Sequence, residues 1–353
     1  MNELEKAISV AIQEIAVGPD RGRDISAELC EQVMTGILDA QIDDVRAAVF
    51  LIALRMKRES PDEMSGLTRA AQNRVVQGSV AVDDLVTLVD PFDGYSRTLT
   101  VSAFIPSVLA AMGIAALMHG VSSVGPKFGV TAHQVLSLAG IDCLNQTSTV
   151  ARQVETCGWG YLDQSIYLEA LHNLIPLRNK IIKRTAITTI ERVLMPLRGQ
   201  SRNHLALGYV HKAYPQIYAQ IAKMAGFDTI HLNKGIEGGL MVAMNKPFAR
   251  YTAELKQHPL RLDEQRFTAF ENQTSVATYP AELSMSERVA ESCAEGLKVL
   301  RGEESISRGS LIAATANIAC SVRSDFDYTH AVEKAAQCID NGLALEHFNA
   351  AIR

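Results

Sequence analysis

The sequence lacks several features that define whole classes of protein. Its six cysteines are scattered through 353 residues and form no CxxC pair, which excludes the usual zinc-site spacings and argues against a disulfide framework. We expect reduced, buried thiols of a cytoplasmic protein. The longest apolar stretch, residues 103–118, is interrupted by Pro106 and Gly113. It falls short of the ~18 apolar residues that a membrane span needs, so no membrane partner is predicted.

The chain also lacks an excess of basic charge. Lysine and arginine total 34 against 39 acidic residues, which gives a formal net charge of -5 and a pI near 6.0. This balance argues against a general nucleic-acid coat but is compatible with a local basic groove. The first residues are polar and acidic and continue into an amphipathic pattern, which predicts no signal peptide.

Two patterns divide the chain. Residues 1–76 carry helical periodicity with start signals at Ser26, Asp43 and Ser60, whereas residues from 85 onward alternate between strand and helix patterns. Alternation of this kind is typical of an α/β protein with a mainly parallel central sheet. We therefore predict a small all-helical N-terminal domain and a large α/β domain. The predicted strands are 85–89, 114–118, 204–210 and 229–232. The predicted helices of the second part include 103–112, 131–140, 214–225, 309–322 and 328–341, and residues 160–184 are predicted to be helical.

The loop at residues 90–101 is the first candidate site. An apolar strand stops at Asp90, a short loop with Asp93 and Gly94 follows, and Ser102 opens an apolar helix. Loops between a strand end and a helix start are where open α/β sheets bind ligands and where backbone N–H groups bind anions. The loop is unusual for this position, because it is not rich in glycine and carries two carboxylates.

A second group of polar residues follows the next predicted strand. His119 ends that strand and could hydrogen-bond a ligand or transfer a proton, or could simply be a satisfied polar residue. Lys127 lies in a glycine-flanked loop beside Ser122, where backbone N–H groups and one ammonium could hold a phosphate. The alternative for Lys127 is a solvated surface side chain.

Four basic residues, Arg178, Lys180, Lys183 and Arg184, lie within seven positions. They are typical either of an anion site, for a substrate carboxylate or a nucleic-acid backbone, or of a solvated helix face. Glu237 lies in a later loop, residues 233–239, and is a metal candidate.

Several ordered motifs resemble the anthranilate phosphoribosyltransferase family, which belongs with the pyrimidine-nucleoside phosphorylases. They are Ala48-Val-Phe-Leu-Ile-Ala-Leu-Arg-Met-Lys57, Glu59-Ser-Pro-Asp-Glu-Met-Ser-Gly-Leu67, His119-Gly120, Lys127-Phe-Gly129, Val135-Leu-Ser-Leu-Ala-Gly140, Pro176-Leu-Arg178, Arg184-Thr185, Leu194-Met-Pro-Leu197, Gly208-Tyr-Val-His211 and Ile339-Asp-Asn-Gly342. The resemblance implies a helical domain, residues 1–76 joined by 160–184, packed on an α/β domain of residues 77–159 and 185–353. It also implies phosphoribosyl pyrophosphate and Mg²⁺ in the cleft between them, and a homodimer formed through the small domain.

The chain departs from that family at the chemically important positions. The family's phosphate loop, Gly-Thr-Gly-Gly-Asp, is replaced by Asp90-Pro-Phe-Asp-Gly94. The family's Lys-His-Gly-Asn is replaced by Met118-His-Gly-Val121, and its Asp-Glu metal pair by Leu240-Met241. Arg178 falls on the arginine that holds an aromatic acid's carboxylate. The residues predicted to contact substrate or phosphate are Asp90, Asp93, Gly94, Thr98, Thr100, Ser102, His119, Gly120, Ser122, Lys127 and Arg178.

Two functions are compatible with these patterns. One is a divergent phosphoribosyltransferase that transfers a pentosyl group to a small anionic or aromatic acceptor, with Mg²⁺ as a possible cofactor. The other is a non-catalytic nucleic-acid-binding protein on the same scaffold, which would use Arg178, Lys180, Lys183 and Arg184.

Overall fold

The computed structural model describes residues 2–18, 21–267 and 277–352. Four N-terminal helices are present, as the periodicity and the start signals predict: α1 (Glu3–Ile15), α2 (Ala27–Leu38), α3 (Asp44–Lys57) and α4 (Pro61–Gln72). Helix α4 begins with a capping box, in which the Ser60 hydroxyl accepts from the Glu63 N–H while the Glu63 carboxylate accepts from the Ser60 N–H. Helices α2 and α4 pack side by side in this bundle.

The second part of the chain alternates between strands and helices. In chain order it contains β1 (Gly78–Ser79), β2 (Asp84–Val89), α5 (Ile105–Ala111), β3 (Ala116–Gly120), α6 (Ala132–Leu138), α7 (Thr147–Cys157), β4 (Trp159–Asp163), α8 (Gln164–Tyr167), α9 (Glu169–His172), α10 (Ile175–Ile181), α11 (Ile187–Ile190), β5 (Leu197–Arg198), β6 (Arg202–Tyr209), α12 (Tyr214–Ala225), β7 (Thr229–Lys234), β8 (Phe248–Glu254), β9 (Asp263–Phe267), α13 (Met285–Leu300), α14 (Arg308–Val322), α15 (Tyr328–Asp340) and α16 (Leu343–Ala350). Short 3₁₀ turns occupy Ser102–Phe104, Glu191–Val193 and Ile236–Gly238.

The large sheet has seven strands in the order β4-β3-β2-β6-β7-β8-β9. The first five of these strands are parallel, and β8 and β9 are antiparallel additions at one edge. A mainly parallel sheet beside a helical bundle confirms the predicted fold class. Strands β1 and β5 form a separate parallel pair.

Successive side chains of β2 point to opposite faces of the sheet, and both faces are covered by other elements. Leu85 and Val89 belong to the core that includes the helical bundle and α12. Val86 and Leu88 point the other way, into the core formed with α5 and the C-terminal helices. Because both faces are covered, the apolar run of β2 is nearly continuous, as is typical of a buried parallel strand.

Two secondary-structure predictions are wrong. Residues 159–163 form strand β4 at the edge of the sheet, so the helical segment begins at Gln164 rather than at residue 160. Gly160 lacks the branched side chain that marks a strand, which weakened the pattern. The two predicted closing helices are present, but α13 and α16 accompany them. No helix in the described ranges has the length and apolar character required to cross a membrane.

Candidate active-site cleft

A cavity of about 160 Å³ lies where the strand order of the sheet reverses. The chain passes from β2 to β3, its neighbour on one side. The neighbour of β2 on the other side, β6, comes later in the chain, after β3 and β4. Open α/β sheets bind ligands at such a reversal, beyond the carboxyl ends of the strands. The lining comes from the end of α3, the loop after β2, the 184–192 segment and the start of α12: Arg55, Glu59, Pro91, Asp93, Arg184, Thr185, Thr188, Thr189, Arg192, Tyr209, Val210, His211, Tyr214, Tyr218, Glu237 and Gly238.

Asp90 is buried and accepts hydrogen bonds from three donors of the protein itself. Its carboxylate accepts from the Tyr95 hydroxyl at 2.7 Å, from the Leu240 N–H at 2.9 Å and from the Ser102 hydroxyl. The Ser102 hydroxyl also pairs with that of Thr100 at 2.7 Å. The predicted phosphate contacts Asp90, Thr100 and Ser102 therefore hydrogen-bond within the loop, and none of the three lines the cavity.

Gly94 explains the close packing of this loop on its neighbour. It has φ +74°, and a Cβ at this position would lie 2.4 Å from the backbone carbon of Gly129. The next residue, Tyr95, exchanges two backbone hydrogen bonds with Val130 at 2.9 and 2.8 Å. Gly94 thus permits a close approach between the backbones of two loops, and its contact with a ligand stays a prediction.

Asp93 reaches the cavity and is paired with two cations. The guanidinium of Arg184 donates to Asp93 Oδ2 at 2.9 and 2.5 Å, and the Lys127 ammonium lies 3.6 Å from Oδ1. The Asp93 side chain is almost fully buried, whereas that of Arg184 is 46% exposed. Arg184 is thus the more accessible member of the pair.

Glu237 is held by a second set of donors. Its carboxylate accepts from the backbone N–H groups of Ser96, Arg97 and Thr98, each at 3.0 Å. The Ser96 hydroxyl at 2.9 Å and the Lys127 ammonium at 3.4 Å complete the set. Burial by itself raises the pKa of Glu237, but the backbone donors and Lys127 outweigh it and lower the pKa to about 2.

His119 is buried at the end of β3 and faces away from solvent. Its Nδ1 lies 2.9 Å from the Tyr167 hydroxyl, and its ring packs edge-on against Phe92. Burial, followed by the nearby charge of Arg192, lowers the pKa of His119 to about 3, so the imidazole is neutral. Gly120 ends the same strand. Ser122 is exposed in the following loop, where its carbonyl oxygen accepts from the Thr131 hydroxyl at 3.1 Å.

The four clustered basic residues do not share one exposed surface. Arg178 is buried and makes a two-pronged pair with Glu191 at 2.7 and 2.8 Å. Lys180 and Lys183 are exposed, and Arg184 pairs with Asp93. Arg178 therefore cannot contact a nucleic-acid backbone while its pair with Glu191 is intact. Nucleic-acid binding by this group stays a prediction.

Sequence reasoning missed Glu191 and Arg192. Burial raises the pKa of Glu191, although the Arg178 guanidinium opposes that rise. Arg192 donates to the carbonyl oxygens of Val89 at 3.2 Å and Gly238 at 2.9 Å, and to the Tyr218 hydroxyl at 3.0 Å. Arg192 thus joins the end of β2 and the first half of α12 to the Glu237 loop. The sequence feature that could have indicated Glu191 and Arg192 is that they are two adjacent charged residues within the otherwise apolar segment 185–195.

The cavity also has an aromatic wall that the sequence did not indicate. Tyr214 and Tyr218 lie one helical turn apart on α12 with ring centroids 5.8 Å apart, and Tyr209 ends β6. The Arg192 guanidinium stands 5.5 Å from the centre of the Tyr218 ring. The cleft thus presents aromatic rings beside the accessible guanidinium of Arg184, an arrangement suited to a ligand with a planar part and an anionic part.

Family models match both parts of the chain. The helical bundle domain of a glycosyl transferase family matches residues 11–75, and the a/b domain of a glycosyl transferase family matches residues 93–345. The chain therefore belongs to this glycosyl transferase family, as the resemblance to anthranilate phosphoribosyltransferases implies.

Particular relatives are similar over nearly the whole chain. The anthranilate phosphoribosyltransferase of Aquifex aeolicus is 27% identical over 325 residues, 92% of each chain. That of Aeropyrum pernix is 27% identical and covers 97% of this chain and 95% of its own. Among solved structures, the Saccharomyces cerevisiae enzyme in complex with PRPP and Mg superposes with a TM-score of 0.78 at 15% identity, covering 99% and 98%. The Thermus thermophilus enzyme gives 0.74 at 17% identity, covering 98% of each chain.

The yeast structure contains Mg, so we asked whether the residues around the cavity of this chain could hold the ion. In their present arrangement they do not fit it. Asp90, Asp93 and Glu237 are engaged by hydroxyls, N–H groups, Arg184 and Lys127, while Leu240 and Met241 are buried apolar side chains. Across the described residues there is no cluster of three or more His, Cys, Asp or Glu side chains that could hold a metal ion.

Proposed function

We propose that this chain is a phosphoribosyltransferase-like protein that binds a phosphorylated pentose in the cleft without relying on Mg²⁺. The observation that carries the proposal is the cavity at the reversal of strand order, with the half-exposed guanidinium of Arg184 at its wall. Arginine suits phosphate because its planar group offers paired donors. Family membership supports the pentose, because the yeast relative has been solved with PRPP and Mg.

The same geometry argues against Mg²⁺-assisted pentosyl transfer to an aromatic or anionic acceptor. Such transfer places growing negative charge on departing pyrophosphate, which needs cations close by. The carboxylates that could recruit those cations already accept hydrogen bonds or ion pairs within the protein. We therefore propose binding, rather than rapid turnover, as the function of the cleft.

Calorimetric titration with phosphoribosyl pyrophosphate tests this proposal. We expect binding of equal affinity in excess Mg²⁺ and in excess chelator. Arg184→Gln should weaken binding roughly tenfold, the loss expected for one hydrogen bond to a charged group. Arg202→Gln is a matched control, because Arg202 is also 46% exposed and paired with a carboxylate but lies at the opposite end of β6. Binding that requires Mg²⁺, or no heat in either buffer, contradicts the proposal.

We also propose a homodimer formed through the small helical domain. Val45, Val49 and Met56 lie on one stripe of α3 and are 73%, 42% and 71% exposed. An exposed apolar stripe at helical spacing favours contact with another surface.

Light scattering after gel filtration tests the dimer. Val49→Glu should produce monomers, because a charge at the centre of the stripe would have to be desolvated on pairing. Ile306→Glu serves as a control, because Ile306 is a 68% exposed apolar residue outside the bundle. A wild-type protein that is monomeric at all concentrations tested, or a Val49→Glu dimer, rules the idea out.

A further inference from the structure

The turn formed by residues 96–98 is organised around an anion. Three successive backbone N–H groups and the Ser96 hydroxyl converge on the Glu237 carboxylate, and Lys127 adds an ammonium. Consecutive N–H groups that point to one spot form a concave anion site, and phosphate groups are typical ligands of such sites. In this chain the anion comes from a residue that is 139 positions away from Thr98.

Glu237 is not placed there by an ordinary backbone conformation. It has φ +51°, a region that residues with a Cβ seldom occupy, and it sits between Gly235 and Gly238. A strained backbone of this kind persists only when the surroundings hold it. The contacts that oppose the strain are those of the side chain with residues 96–98 and Lys127.

The anion site is next to the cavity. Glu237 is itself part of the cavity lining, so the space that its side chain occupies borders the cleft. The other acid nearby, Asp93, is compensated by Arg184 and by Lys127. Removing the Glu237 side chain would therefore leave the donors of the 96–98 turn without an acceptor and accessible from the cleft. The Lys127 ammonium, which lies between the Asp93 and Glu237 carboxylates, would remain beside them.

We propose that Glu237 is an exchangeable internal anion that occupies a phosphate-binding site of the 96–98 turn and keeps that site closed. The carboxylate is tethered, so its effective concentration is high and it competes strongly with free phosphate. A ligand whose phosphate reaches the turn must displace Glu237. The flanking glycines allow the 236–238 turn to move when this happens.

The test is to titrate inorganic phosphate into wild type, Glu237→Ala and Glu59→Ala, following backbone amide resonances by NMR and heat by calorimetry. We expect Glu237→Ala to bind phosphate at least roughly tenfold more tightly than wild type, because several charge-assisted hydrogen bonds become available. The largest shifts should be at Ser96, Arg97 and Thr98. Glu237→Ala/Lys127→Ala should lose most of the gain.

Glu59→Ala controls for charge alone. Glu59 also lines the cavity, but its ion pair is with Arg55 at 3.9 Å, so its removal frees no backbone donors in the 96–98 turn. An equal gain in Glu59→Ala, or no gain in a folded Glu237→Ala, overturns the proposal. If the alanine variant does not fold, Glu237→Gln replaces it, with a smaller gain expected at the same three amides and no gain overturning the proposal. Inorganic phosphate is the probe, so the result is independent of the pentose titration.

Discussion

Replacing Glu191 by alanine is expected to lower the free energy of unfolding by about 3–5 kcal/mol. Arg178 and Glu191 are both buried and form a two-pronged pair at 2.7 and 2.8 Å, so the variant leaves a guanidinium without its counter-charge in the interior. Gln164 donates to Glu191 at 3.4 Å and would lose its acceptor as well. The measurement is the denaturant midpoint and slope of wild type and variant, followed by circular dichroism.

The double variant Arg178→Met/Glu191→Leu separates charge from packing. Replacing both members by apolar side chains of similar size is often neutral or stabilising, so it should recover most of the loss. Glu254→Ala is the exposed control, because the Arg202–Glu254 pair is 46% and 49% exposed and should contribute no more than about 1 kcal/mol. A loss below about 1 kcal/mol for Glu191→Ala would show that Arg178 finds another partner.

The Arg178–Glu191 pair also affects which ligands the cleft can bind. The resemblance assigned Arg178 to the carboxylate of an aromatic substrate, but Glu191 already supplies a carboxylate to its guanidinium. Glu237 occupies the amide donors of the 96–98 turn in a similar way. Two potential anion sites are thus filled by side chains of the chain itself, whereas Arg184 and Arg55 at the cavity wall are 46% and 42% exposed.

The architecture could be predicted from sequence because it depends on local patterns. Helical periodicity and capping signals predict α1 to α4, and the apolar run before Asp90 predicts β2. The strand–loop–helix pattern there predicted a ligand-binding loop, and Pro91 and Asp93 of that loop line the cavity. Strand β4 was missed because glycine interrupts its pattern, and the helical segment was extended across it.

The chemistry of the site could not be predicted, because its partners are distant in sequence. The Asp90 carboxylate accepts from Leu240, 150 positions away, and Asp93 pairs with Arg184, 91 positions away. Sequence alone showed two carboxylates in an anion-binding position but not the groups that compensate them. The structure compensates them with hydroxyls, amides and two cations of the same chain.

Acid should remove the stabilising contribution of Glu237 in a defined pH window. Its folded-state pKa is about 2, against an ordinary value of 4.5. A carboxyl group whose pKa is depressed on folding contributes stability that is complete above the unfolded value and is lost as the pH falls through the folded value. Near neutral pH, Glu237→Gln should cost about 2–3 kcal/mol, the value of hydrogen bonds to a charged group. That difference from wild type should shrink as the pH falls from 4.5 toward 2.

Glu59→Gln should show the opposite trend in the same thermal melts. Burial raises the pKa of Glu59, so its ionised form is disfavoured in the folded protein. The stability contributed by such a group is present below the unfolded pKa and is lost as the pH rises through the folded value. The melting temperature of wild type minus that of Glu59→Gln should therefore rise on acidification. The melting temperature of wild type minus that of Glu237→Gln should fall. If the melting temperature of wild type relative to Glu237→Gln did not decline on acidification, the 96–98 amides would not hold an ionised carboxylate, and the internal-anion site would lose its physical basis.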